Sequence, residues 1–287
     1  MISAALPRPG AKTTEPASGT PREIRGKSFY LRELLHHRDL LLILAARDIT
    51  IRYKQSVMGF LWAILMPVLV VGSGLIVMIA FSVMSGKPIN KQDVFAIAVK
   101  SVPWAFFVSA IRFATNSLTA NKELVTKIYF PREILPMASL LANLFDFLIA
   151  SAVLALALLA FRAGWSIQIL WTPLLLVVLI ILTAAFSLVL SCANLFFRDV
   201  KYLVEVFLTY GIFLVPVFYS SAQMGKYGIV LLLNPVGPLL ESLSNTIVLH
   251  RSPNFYWLAY STVWAIFGLA LSLWTFRKAD RSFAESI

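Results

Sequence analysis

The chain has 287 residues, 59% of them hydrophobic and only 14% charged, with a mean hydropathy of +0.80. Soluble domains are about 45–50% apolar and about 25% charged, whereas here the apolar residues gather in runs long enough to cross a bilayer, so a soluble globular class is excluded. The net charge of +11 does not mark a nucleic-acid binder, because the Lys and Arg lie between the apolar runs, and the single cysteine, Cys192, excludes a disulfide framework or a Cys-based metal site within one chain.

Residues 1–28 hold Pro7, Pro9, Pro16 and Pro21 among Ala, Ser, Thr and Gly. They read as a disordered tail, without the apolar core of a cleaved signal peptide. Over residues 29–56, Leu31, Leu34, Leu35, Leu42, Ala45, Ala46, Ile49 and Tyr53 recur at helical spacing. Charges interrupt them too often for a span, which predicts an amphipathic helix lying in the membrane interface. Residues 57–277 then read as a six-span domain. The first span, 58–81, is free of charge and contains Pro67. The second, 94–120, contains Lys100, expected to snorkel outward, Pro103, expected to interrupt the helix, and Arg112.

A charged connector at 121–135 follows, with Glu123, Lys127, Arg132 and Glu133 around the apolar centre Ile128, Tyr129 and Phe130. Such a centre suits a short helix seated on a soluble partner, or a loop packed on its own spans. The third span, 135–161, carries one charge, Asp146; the fourth is 170–197; the fifth, 202–219, has Glu205 near its start. Residues 220–254 are rich in Gly and Pro and hold two apolar stretches, each too short to span, so re-entrant or interfacial segments are expected there. The sixth span is 255–276, and residues 278–287 form a tail. Of the 25 Lys and Arg, eighteen fall on the side of the termini and five on the other. Both termini are therefore expected in the cytoplasm.

The chemistry of a free-standing enzyme is missing from the sequence. No GxxxxGK[ST] phosphate loop, HExxH pair or GxSxG elbow occurs, and the adjacent His36 and His37 point about 100° apart on a helix. Three constellations remain. Arg112 and Asp146 are costly intramembrane charges that either pair with each other or line a pathway. Trp62, Trp104, Phe106, Phe107, Phe218, Tyr219, Tyr256 and Trp257 form either the interfacial aromatic belt or a surface on which sugar rings stack. The third is the connector 121–135.

Four segments resemble a known family, the ABC-2 type permeases that export O-antigen, teichoic acid and related polysaccharides. They are Arg52-Tyr53-Lys54-Gln55-Ser56-Val57-Met58-Gly59 with Trp62; Pro103-Trp104 with Phe106-Phe107 and Ala114-Thr115-Asn116-Ser117; KIYFPREILP at 127–136; and Phe196-Phe197-Arg198-Asp199-Val200-Lys201 with Pro216-Val217-Phe218-Tyr219 and Asn234-Pro235. The resemblance covers roughly residues 30–280, and the chain departs from the family pattern in carrying cations at Lys100 and Arg112.

The resemblance implies an all-α integral membrane fold with an N-terminal interface helix, six transmembrane helices and re-entrant periplasmic segments between spans five and six. It implies a bacterial inner-membrane exporter of a lipid-linked cell-surface polysaccharide. The partners would be two copies of an ABC ATPase, which hold the ATP and Mg while this chain holds no cofactor, together with a second permease copy and membrane lipids. Residues 121–135 would couple to the ATPase and 220–254 would form a periplasmic gate. On this reading the coupling residues are Arg52, Tyr53, Glu123, Lys127, Tyr129, Arg132 and Glu133. Trp62, Trp104, Phe107 and Tyr219 guide sugars, and Arg112 meets phosphate or uronate groups. An ABC-2 permease for a small molecule or lipid is the alternative within the family. An ion-coupled secondary transporter using Arg112 and Asp146 is the alternative of another class.

Overall fold

The computed structural model describes residues 37–54, 61–86, 88–127 and 130–280. The tail 1–28, Tyr129 and the start of the first expected span lie outside them. The described residues are helical with connecting turns, and no strand occurs among them. In chain order the helices are α1 (Arg38–Lys54), α2 (Leu61–Ser85), α3 (Lys91–Ala120), α4 (Lys122–Lys127), α5 (Ile134–Ala160), α6 (Thr172–Phe196), α7 (Val200–Gly211), α8 (Gly228–Leu233), α9 (Val236–Ile247) and α10 (Phe255–Asp280). Among the described residues, five helices are long and apolar enough to cross a membrane, over Ile64–Met84, Lys91–Ala120, Ile134–Ala160, Ile167–Phe196 and Phe255–Ala279. The chain is a multi-pass membrane protein.

The fifth expected span is not one continuous helix. Its helix α7 ends at Gly211 and passes through a 3-10 turn, Ile212–Leu214, into extended backbone at Val215 (φ −125°, ψ 142°). Pro216 favours this end: its ring disfavours the helical conformation at the residue before it, and it has no N–H to donate back. Twelve helical residues reach about 18 Å against a core of about 30 Å. Pro103, by contrast, does not interrupt α3, which runs unbroken from Lys91 to Ala120.

The core is organised around α3. It packs against α2, α5, α6, α7 and α9, while α10 lies on α6 and α1 on α5. Ala110, Ala114, Ile111 and Leu118 on α3 are at most 1% exposed. The small alanines let neighbouring backbones approach, which is how apolar helices associate in lipid. Hydroxyl groups inside the bundle donate to their own helix: Ser101 to the carbonyl of Ile97 and Thr115 to that of Ile111, each at 2.7 Å.

The Gly- and Pro-rich region forms a 3-10 segment, Ser221–Tyr227, then α8 and α9. Helix α9 is buried along most of its length and packs on α3, α6 and α10. A Cβ at Gly237 would sit 2.2 Å from the Leu231 carbonyl oxygen, so the α8–α9 turn requires glycine there. Tyr260 and Ser261 of α10 donate to the carbonyls of Leu233 and Pro235, at 2.7 and 2.8 Å, and fasten this turn.

Candidate functional site: the helix-anchoring network and the outer cavity

At the end of the bundle where α1 lies, an apolar seam comes first. Leu44 and Ala45 of α1 cluster with Val125 of α4, Phe130, and Ile134, Leu135 and Ala138 of α5. Polar contacts then fix the register of α1. Arg52 pairs with Asp146 of α5, its Nη1 also donates to Asn143 at 3.3 Å, and its guanidinium lies 4.2 Å from the centre of the Phe113 ring. The Tyr53 hydroxyl donates to the other oxygen of Asp146. Burial raises the Tyr53 pKa, the hydrogen bond to Asp146 and the charge of Asp146 raise it further, and Arg52 opposes them; Tyr53 therefore stays a neutral donor. One turn earlier, Arg47 bonds Asp48 at 2.9 Å and Asn121 at 3.0 Å. This ties α1 to the residue that opens the connector.

The sequence-derived candidates separate accordingly. Arg52 and Tyr53, expected at an ATPase surface, are turned inward to Asp146, because an intramembrane carboxylate needs compensation that the end of α1 supplies. Arg112 and Asp146 are not partners of each other. Arg112 makes a two-pronged bond to Glu205 of α7, Nε to Oε2 and Nη2 to Oε1, each 2.8 Å. The paired guanidinium and carboxylate neutralise one another between α3 and α7. Glu133, expected to face a partner, is 3% exposed. Glu123 and Lys127 do face outward, joined by a 3.3 Å bridge across one helical turn, while Val125 between them is buried. Arg132 is half-buried, and Tyr129 lies outside the described residues.

The aromatic candidates also divide. Trp104 and Phe107 are 4% and 6% exposed and stack on each other at 5.7 Å, with Phe186 edge-on to Phe107. Their apolar area is spent inside the bundle, so neither offers a free ring face. Trp62 is open at 44%. Tyr219 is half-buried and donates its hydroxyl to the Phe213 carbonyl.

Two residues matter that the sequence did not single out as sites. Asn194, 1% exposed, donates to the Thr115 carbonyl at 2.9 Å and accepts from the backbone N–H of Lys201 at 3.2 Å, which clamps the α6–α7 turn to α3. A lone Asn just before Phe196-Phe197-Arg198-Asp199 was the available signal. Lys100 does not snorkel outward; it is 3% exposed and donates to the Tyr219 carbonyl at 2.8 Å. It lines a cavity of about 580 Å³ between α2, α3, the segment after Val215 and α9, in which polar and apolar side chains mix. Among the described residues no cluster of His, Cys, Asp or Glu is arranged to hold a metal ion.

Known proteins place this arrangement. Residues 39–248 match the family model described as ABC-2 type transporter. The chain is 27% identical over 260 residues to the O-antigen export system permease protein RfbA of Myxococcus xanthus, covering 90% of this chain and 98% of that one. It is 26% identical over 249 residues to a protein of the same name from Klebsiella pneumoniae, covering 86% of this chain and 94% of the relative. With well over half of its length in the match, including the α1 anchor, the connector and the buried α9, the chain belongs to the ABC-2 type transporter family.

Proposed function

We propose that this chain is the membrane subunit of an ABC exporter that carries a lipid-linked, O-antigen-type polysaccharide across the bacterial inner membrane. The observation that carries the reading is the near end-to-end correspondence with relatives named as O-antigen export permeases. ATP and Mg are bound and turned over by a separate ABC ATPase, two copies of which meet two copies of this chain. Both termini lie in the cytoplasm. Helix α7, the 3-10 turn after it and the extended residues beyond together make the fifth of six crossings, and α8–α9 re-enter from the periplasmic face.

The mechanism follows from what is fixed and what is open. ATP binding draws the two ATPases together. The exposed Glu123–Lys127 face of α4 receives that displacement. Helix α4 is joined to α1 through Asn121 and Arg47, and α1 to α5 through Arg52, Tyr53 and Asp146. These elements therefore move as one block. The block shifts α3, and Arg112–Glu205 passes the shift to α7. The unpartnered apolar faces of α2 and α7, with Trp62, Ile76, Phe207 and Tyr210 exposed, form the seam between permease copies that opens for the glycan. In the native host, deleting the chain is expected to abolish surface polysaccharide and leave lipid-linked glycan on the cytoplasmic leaflet. Normal surface polysaccharide in the deletion strain contradicts the proposal.

A further inference from the structure

The cavity around Lys100, walled by apolar side chains with a few polar groups among them, has the size and chemistry of a ligand site. Its volume of about 580 Å³ lies within the usual range for small-molecule pockets, roughly 300–1,000 Å³. On α3, Gln92, Ala96 and Lys100 follow one another at intervals of four and all line it. That spacing places them on one helix face, with Gln92 and Lys100 about 12 Å apart along the axis. Gln92 is exposed, Lys100 is buried, and the small Ala96 between them leaves the space open. Across from this face stand Glu241 and Asn245 of α9, one turn apart, and Phe218.

The donors and acceptors are mixed. An ammonium group has three N–H donors, and the Lys100 side chain gives one to the Tyr219 carbonyl. Glu241 Oε1 accepts from the backbone N–H and the hydroxyl of Ser221, at 3.2 and 2.7 Å, while its Oε2 is buried and has no partner. Gln92 and Asn245 each offer a donor and an acceptor. One cation and two carboxylates, Asp93 and Glu241, give the lining a formal charge of minus one. A phosphate or uronate is thereby disfavoured. A neutral polyhydroxyl ring, whose every O–H both gives and takes a hydrogen bond, is matched.

We propose that this cavity binds one neutral sugar residue of the exported glycan, with Lys100, rather than Arg112, as its central donor. The inference rests on the polysaccharide reading and deepens it. The site lies on the face that also bears the 220–254 segment, where the glycan leaves. Two of the Lys100 N–H donors are left for a seated sugar while the third keeps the Tyr219 carbonyl.

The test is saturation-transfer NMR on the intact permease–ATPase complex in nanodiscs. The probes are the methyl glycosides of glucose, galactose, mannose and rhamnose, with methyl glucuronide and glycerol as chemical contrasts. At least one neutral glycoside is expected to bind, and glucuronide and glycerol are not. Lys100→Met, which keeps the apolar stem, is expected to weaken that binding about tenfold or more, as loss of a charge-assisted hydrogen bond does. Ala96→Leu fills the space without removing a polar group and is expected to abolish binding, so the test stands if Lys100→Met does not fold. Absence of binding by every neutral glycoside overturns the inference, as does equal binding of glucuronide or glycerol, or binding unchanged in Ala96→Leu. Glycan-stimulated ATP hydrolysis measured on the same preparations separates the two readings. Stimulation without glycoside binding overturns the cavity site and leaves export standing; no stimulation despite glycoside binding overturns export.

Discussion

At the scale of single residues, the charges on the long helices serve to join one helix to another. Asp146 is the clearest case, holding two consecutive residues of α1 at once. Asp146→Asn is expected to lower the unfolding free energy by about 2 kcal/mol, the size of a charge-assisted hydrogen bond, measured as a fall in the midpoint of thermal unfolding in detergent. Tyr53→Phe, which removes only the uncharged donor, is expected to cost less. An unchanged midpoint in Asp146→Asn contradicts the anchoring role. Arg112 and Glu205 make a sharper test. Left single at membrane depth, either charge is costly, by about 2.5–3.5 kcal/mol on insertion scales. A double-mutant cycle is therefore expected to show Arg112→Gln and Glu205→Gln each destabilising and the double variant close to the parent. Additive losses would mean that Arg112 acts on something other than Glu205.

Elements show what was legible beforehand and why the rest was not. Five long helices coincide with five apolar runs, because hydropathy reports burial in lipid directly and needs no knowledge of partners. In the fifth expected span the helix is shorter than the apolar run for a local reason: Ile212, Phe213, Leu214 and Val215 continue the run, and hydropathy does not register that the helix gives way before Pro216. The partners of Asp146 and Arg112 were illegible because they lie 94 and 93 residues away, a distance at which spacing carries no information. Trp104 and Phe107 were misplaced for a related reason, since an aromatic near a span end has the same sequence signature whether it faces lipid, a pathway or the core. Helix α4 carries a prediction of its own. Glu123 is exposed, so Glu123→Arg is expected to leave folding intact and to lower the coupling of ATP hydrolysis to transport. Full coupling in a folded Glu123→Arg complex removes α4 from the transmission path. In the α8–α9 turn, Gly237→Ala places a methyl 2.2 Å from a carbonyl oxygen. It is expected to cut the yield of folded protein severalfold, read by size-exclusion chromatography.

The whole molecule combines a packed inner bundle with bare apolar faces on its outer helices, those of α2 and α7 among them. Helix α3 is in contact with most of the other long helices, whereas α2 and α7 expose rows of large apolar side chains. Lipid or a second copy satisfies such faces equally well in energy, and only the second copy yields a conduit. The central claim is that this chain is a glycan conduit driven from another subunit. It is tested most directly by reconstituting the purified chain with its ABC ATPase in nanodiscs and measuring ATP hydrolysis with and without the host's lipid-linked glycan. The account predicts hydrolysis that requires both subunits and rises several-fold with the glycan; hydrolysis indifferent to the glycan would contradict it.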